Sequence, residues 1–267
     1  MRKSPKEIEI ENEILAMLSG KPALAASFIF NDKEAEAMQN YANVVSIKRL
    51  GYNDHGPVHM RKTAQNALIM FDILHEAGIK FSIEDENIGT AEDSKVAVLI
   101  SSLLHDVGMS VGRENHELLG VVFAMPIIER TLTEIYTGDV EKKTIIQSLI
   151  VEGIAGHMAT QDIHSLEAGL VSIGDGCDME KGRARIIFLL SRAPKVGDIH
   201  KYSAQSIQKV EIIKGKEKPI RIIVEMTESV GFFQIEEVLF PKILSNPVKP
   251  HIELYGKVTG EKMRRYL

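Results

Sequence analysis

The chain has one cysteine, Cys177, which excludes an intrachain disulfide and a thiolate zinc cage. It has no apolar run near the roughly 18 residues that a membrane span requires. Its start, Met1-Arg2-Lys3-Ser4-Pro5, runs into charged residues and not into an apolar signal core. Basic residues form no cluster. The formal net charge is −5, and Lys262, Arg264 and Arg265 are too few to make a duplex-binding face. Internal repeats and low-complexity segments are also missing. These absences predict a cytoplasmic protein in a reducing compartment, with neither a membrane nor a nucleic acid duplex as partner.

What is present is apolar mass in a helical rhythm. With 267 residues and 44% hydrophobic composition, the chain can bury a large core and is not globally disordered. Ile8, Ile10, Ile14, Leu15 and Leu18 fall at helical spacing and stop at Gly20. Another helix is predicted over 33–50. Pro57 suits the first turn of a long helix that Gly78 ends. Residues 80–92 are polar and broken, and read as a loop. Further helices are predicted over 94–106, 115–134, 140–156, 163–178 and 182–192, the last ended by Pro194.

The pattern changes near residue 200. Val210-Glu211-Ile212-Ile213 and Ile220-Arg221-Ile222-Ile223-Val224 are β-rich, with a turn signal at Lys214-Gly215-Lys216-Glu217-Lys218 between them. Phe233 to Leu244 looks helical, and His251 to Tyr255 looks like one more strand. The expectation is a mainly α protein: a helical domain over 1–200 and a small ββαβ appendage over 201–267. Phe232, Phe233, Ile235, Val238, Leu239 and Phe240 give the appendage helix an apolar surface. A unit of about 60 residues cannot bury that alone. It should pack on the helical domain or on a second copy, and a homodimer is the expected assembly. The appendage is expected to serve assembly or substrate gating and not chemistry.

The chemistry centres on His105-Asp106, which follows the oily run Val96 to Leu104 without a gap. An imidazole and a carboxylate there are costly to bury unless they bind something, and a metal ion is the simplest partner. His59, His116, His157 and Asp175 are the natural remaining ligands. Imidazoles and carboxylates without thiolate suit Fe, Mn, Co, Ni or Zn. Pro57 places His59 in a first turn. His105 and Asp106 close their helix, where the dipole favours a cation, with Gly108 just beyond as a left-handed cap. Ser101 and Ser102, one turn earlier, are small enough to let another helix approach. Ile146, Ile150 and His157 share a face, as do Ala168, Val171 and Asp175. Each residue also has an ordinary reading. His116 can be a surface residue, His157 a helix-end histidine, and Asp175 a turn residue between Gly174 and Gly176. His55, His75, His164, His200 and His251 read as structural or exposed, with a flank of the site as the alternative for His55, which precedes the Pro57 turn.

The order His59, His105-Asp106, Asp175 resembles the HD superfamily of metal-dependent phosphohydrolases. The likeness covers roughly residues 50–190, and Leu103-Leu104-His105-Asp106-Val107-Gly108 is similar to its central motif. The resemblance implies an HD-type helical bundle in which these four residues bind one metal. With His116 and His157 added, the pattern resembles the diadenosine-tetraphosphate hydrolase and HD-GYP branches, in which Asp106 would bridge two ions. Glu180-Lys181-Gly182-Arg183 is similar to a segment of the former. Met109 stands where many members carry lysine, and Arg113 is the candidate to supply that charge.

Two divalent ions bring about +4, and Asp106 and Asp175 about −2, leaving about +2 before a hydroxide binds. Such a cavity attracts a phosphate and stabilises the charge that develops on it. The expected activity is hydrolysis of a phosphate ester or anhydride, on a small nucleotide substrate. The catalytic candidates are Asp106 and Arg113, and the substrate clamps are Arg113, Lys181 and Arg183. Two other readings stand beside it: a di-iron oxygenase of the same superfamily, and a degenerate nucleotide-binding regulator.

Overall fold

Several helices in this protein begin where a side chain takes up free backbone N–H groups. The computed structural model describes residues 3–181 and 199–267. Helix α1 (Pro5–Ala16) opens on a capping box, Ser4 accepting from the Glu7 N–H and Glu7 from the Ser4 N–H. Helix α2 (Gly20–Asn31) follows, and Asp32 caps α3 (Lys33–Val44) by accepting from Glu34 and Ala35. Helix α3 widens into a π-helical turn, Val45–Leu50, which Gly51 ends in the left-handed region at φ +67°.

Pro57 opens α4 (Pro57–Glu76), and Gly78, at φ +75°, ends it by donating to the His75 carbonyl. The stretch expected as a loop holds a short helix, α5 (Ser82–Asp85). Its first N–H groups point at the buried carboxylate of Glu167, far along the chain. A polar segment thus becomes ordered through a tertiary partner that local pattern does not show. Then come α6 (Ala91–Leu104), α7 (His116–Ile135), α8 (Val140–Gly156) and α9 (Leu166–Cys177). The helix expected over 182–192 lies outside the described residues.

Helix α10 (Ile199–Ser206) leads into the sheet: β1 (Ile207–Lys214), β2 (Ile220–Met226), β3 (Ile252–Val258) and a short β4 (Arg264–Arg265), in the order β1-β2-β3-β4. β1 and β2 form an antiparallel hairpin, whereas β2 and β3 are parallel. Parallel neighbours need a crossover. Here it is a helical run of three pieces, Phe232–Gln234, a π-helical Ile235–Leu239 and Phe240–Leu244. The protein is mainly helical with a small C-terminal sheet, whose first three strands follow the expected ββαβ order and whose fourth, β4, the sequence pattern did not predict.

Helix α6 is buried on every side from Val96 to Leu104 and packs against α2, α4, α8 and α9. One apolar cluster joins α6 to the N-terminal helices, α7 and α8. A second joins Phe71 and Leu74 of α4 and Leu170 and Ile173 of α9 to Ile222 and Val224 of β2 and Leu254 of β3. The apolar face of the 232–244 run is therefore covered within the chain, Ile235 and Leu239 being fully buried in that cluster. Among the described residues, no helix is long and apolar enough to cross a membrane.

Close helix approach depends on missing side chains. Ser101 on α6 meets Gly153 on α8, where a Cβ would come within 2.7 Å of the Ser101 Oγ. Gly108 corrects an expectation. It has no left-handed backbone and lies in a 3-10 turn, Val107–Ser110. A Cβ there would stand 1.9 Å from the His116 carbonyl oxygen. The glycine after the His-Asp pair thus lets α7 approach and does not cap α6.

Candidate metal centre

Helix ends deliver the polar residues to one point. His59 lies in the first turn of α4, His105 ends α6 with Asp106 next, His116 opens α7, and His157 ends α8. Asp175 lies inside α9 and is not a turn residue. Its glycine neighbours serve packing. A Cβ on Gly174 would come within 2.9 Å of the Thr63 carbonyl of α4. All six residues are buried, none more than 7% exposed.

The ring nitrogens have a common arrangement. Nδ1 of His105 lies 2.8 Å from the Ser102 carbonyl, that of His157 2.7 Å from Ile154, and that of His116 2.8 Å from Arg113. A carbonyl only accepts, so each Nδ1 carries a proton, and in the neutral ring each Nε2 presents a lone pair. Nδ1 of His59 lies 2.6 Å from Asp178 Oδ2, and Glu117 approaches His116 Nδ1 at 3.0 Å. Such partners fix a ligating imidazole and raise its basicity.

The Nε2 atoms face one another. His59 and His105 approach at 3.2 Å, as do His116 and His157. Two lone pairs at that distance repel unless a cation lies between them. The carboxylates repeat the theme. Asp106 Oδ2 lies 3.2 Å from His59 Nε2 and 3.3 Å from His105 Nε2, while Oδ1 lies 3.3 Å and 3.5 Å from His116 and His157. Asp175 Oδ1 joins the first pair, 3.1 Å from His59 and 3.8 Å from His105. With bonds of about 2.1 Å, ligand atoms around one ion stand about 3.0 to 3.4 Å apart. The residues therefore fit a metal. His59, His105 and Asp175, and likewise His105, Asp106 and His157, each offer donor atoms within 4.8 Å of one another.

Charge follows the geometry. Burial raises the Asp106 carboxyl, but His105 and His55 outweigh it and hold the group well below the usual range. Burial likewise raises Asp175, and the Lys242 ammonium and His59 overcome it. Burial pushes His157 down to about 4. In each case the folded-state value lies below the unfolded one, so the contribution is present at high pH and lost on acidification. For His157 the loss runs from about pH 6.5 to about 4 and amounts to about 3 kcal/mol. The carboxylates add theirs below that window. The melting temperature of chelator-treated protein should therefore fall steeply between pH 6.5 and 4. A flat profile there would show that His157 is not held neutral by its surroundings.

A cavity of about 630 Å³ opens over the centre, lined by Asp106, Asp175, His55, Arg113, Tyr52 and Lys242 among others. Arg113 stands at its edge, Nη1 3.5 Å from His116 Nε2. His55 flanks it, with Nδ1 2.6 Å from the Asn53 carbonyl and its ring 5.7 Å from that of His59. Lys181 is exposed and is not among the lining residues, and Arg183 lies outside the described residues. The structure thus gathers the six ligand candidates and Arg113, but not Lys181.

Three participants escape sequence reasoning. Asp178 orients His59 and Glu117 approaches His116, each beside a residue that was singled out. Lys242 donates to Asp175 Oδ2 at 2.5 Å and to the His157 carbonyl at 2.7 Å. Gln234, Val238 and Ala204 line the cavity with it. The C-terminal part is therefore a wall of the site, not an appendage apart from the chemistry. The available signal was a lone lysine in the oily run Val238-Leu239-Phe240-Pro241-Lys242-Ile243-Leu244.

No family model matches the chain, and no solved structure matches it. The uncharacterized protein MJ1020 of Methanocaldococcus jannaschii is 37% identical over 254 residues, which span 95% of this chain and 96% of that protein. So long a match takes in the β1–β2 hairpin together with the helices that carry the ligand candidates. The chain belongs to the same family as MJ1020.

Proposed function

We propose that the protein is a phosphohydrolase of the HD type, built on a helical bundle that holds two divalent ions. The observation that carries this reading is the division of Asp106. One carboxylate oxygen faces His59 and His105, and the other faces His116 and His157. A single bridging carboxylate between two sets of imidazoles is a pattern for two ions, not one. Asp175 completes the first set.

When bound, the ions would supply a hydroxide at neutral pH and polarise a phosphoryl oxygen. The protein's own residues do the rest. Asp106 and Asp175 leave the centre about two charges positive, which attracts a phosphate. The Nδ1 partners keep four imidazoles aimed inward before any ligand arrives. Arg113, beside His116 at the cavity edge, presents a planar fork of donors to phosphate oxygens. Leu50, Tyr52, Met158 and Val238 give the cavity an apolar wall suited to a base. Its volume falls in the usual range for sites that take small organic ligands. A nucleotide, with an anionic end and a flat apolar end, matches that division.

Metal analysis of protein purified without chelator, followed by a screen of nucleotides and phosphodiesters on the same sample, tests this. About two ions per chain and release of phosphate or nucleoside monophosphate are expected. Oxygen uptake with a mixed-valent di-iron signal would favour an oxygenase instead. Tight binding of one nucleotide without turnover would favour a regulator.

A further inference from the structure

Lys242 lies in the helical crossover of the C-terminal sheet, yet its head lies at the metal centre. It is 6% exposed. An ammonium so buried is costly unless it is paired and hydrogen-bonded. Its Nζ meets both conditions, donating to Asp175 Oδ2 and to the His157 carbonyl. Its stem passes over the glycine next to Asp175. A Cβ on Gly176 would stand 3.1 Å from Lys242 Cδ and 3.1 Å from Leu239 Cδ1. The chain is thus built to admit this lysine.

The consequence is a division of labour within Asp175. Oδ1 faces His59 Nε2 at 3.1 Å, and Oδ2 is engaged by the ammonium. A metal held by the imidazoles would meet Oδ1, with Oδ2 already engaged by the lysine. The same ammonium adds a positive charge beside the ligand candidates and in the cavity wall. Like charges repel, so the lysine opposes metal binding, and for the same reason it attracts an anion.

We propose that Lys242 is a positioning residue and fixed cation of the centre: it limits Asp175 to one ligating oxygen and raises the attraction for a phosphoryl anion at the cost of metal affinity. This rests on the phosphohydrolase reading above. A mere staple between the C-terminal sheet and α9 would behave differently. Its loss would loosen the whole site, so that metal and anion affinity fell together. A fixed cation predicts opposite signs.

The test uses full-length protein with Lys242→Gln, Lys242→Met and Lys242→Arg. Two quantities are read: Mn²⁺ affinity by equilibrium titration, and inorganic phosphate affinity of the Mn²⁺-loaded protein. For the two neutral variants, Mn²⁺ binding should tighten by about 3- to 10-fold, while phosphate binding weakens by about 10-fold or more. Lys242→Arg should stay within about 3-fold of the parent in both. Joint weakening of both affinities overturns the proposal, as does unchanged phosphate affinity. So does failure of both neutral variants to fold, which would make Lys242 a structural anchor. The two readings fail separately. Parent protein that binds Mn²⁺ but no phosphate refutes the phosphohydrolase reading, whereas the Mn²⁺ shift still reads the restraint on Asp175.

Discussion

Asp106→Ala should remove both ions at once and abolish turnover, while the metal-free protein keeps its helical fold. Each Asp106 oxygen faces two imidazoles, so this one carboxylate joins the two pairs. The side chain also makes no helix cap, so no backbone group loses a partner. A graded series separates this from general damage. Asp178→Asn weakens the partner of His59 Nδ1 and should reduce metal binding by about 10- to 100-fold. His116→Ala and His157→Ala should each lower the metal content from about two towards one per chain. Asp106→Ala should exceed all of these, with loss of turnover greater than about 10³-fold. Metal content by plasma emission, turnover, and circular dichroism in chelator are the measurements. An Asp106→Ala protein with full metal content would refute the bridging role. One that unfolded in chelator would show a structural role instead.

How much of this was legible in the sequence follows from the range of the interactions. His59, His105-Asp106, His116 and His157 sit at helix ends, where proline, glycine or the end of an oily run marks the position locally. The strands were legible because alternation is a local property, and β2 alternates buried and half-buried residues along its length. Helix α2 is not legible, since Leu24 to Phe30 is almost uniformly apolar and shows no one-sided stripe. The partnerships were not legible. Asp178 meets His59 across 119 residues, and Lys242 meets Asp175 across 67. Composition marks Lys242 as odd in its oily surroundings but cannot say which buried carboxylate it serves. Gly108 shows the reverse error. A glycine after a helix suggests a left-handed cap, and only the arrival of α7 reveals that the empty space is what matters.

Deletion of residues 207–267 should cost the protein its native fold, and with it the metal centre. An appendage that serves assembly or gating alone would leave a metal centre behind after such a cut, because all six ligand candidates precede it. The packing points the other way. Met70, Phe71 and Leu74 of α4 and Leu170 and Ile173 of α9 share one apolar cluster with β2, β3 and the 232–244 run. Large apolar side chains lose about 1.5 to 3 kcal/mol each when fully uncovered. Five of them approach 10 kcal/mol, which is comparable with the whole stability of a typical domain. The deletion also strips Lys242 from Asp175 and leaves Gly176 and Gly169 without the Leu239 and Val248 side chains that now cover them. Because α4 and α9 are the helices that hold His59 and Asp175, loosening them spreads the first set of ligands. The truncated chain should aggregate or bind a hydrophobic dye, and retain less than one ion per chain. A monomeric truncated protein with a cooperative melt and full metal content would show that the helices carry the centre unaided. The sheet would then be an accessory, and the cavity wall formed by Gln234, Val238 and Lys242 would matter only to the substrate.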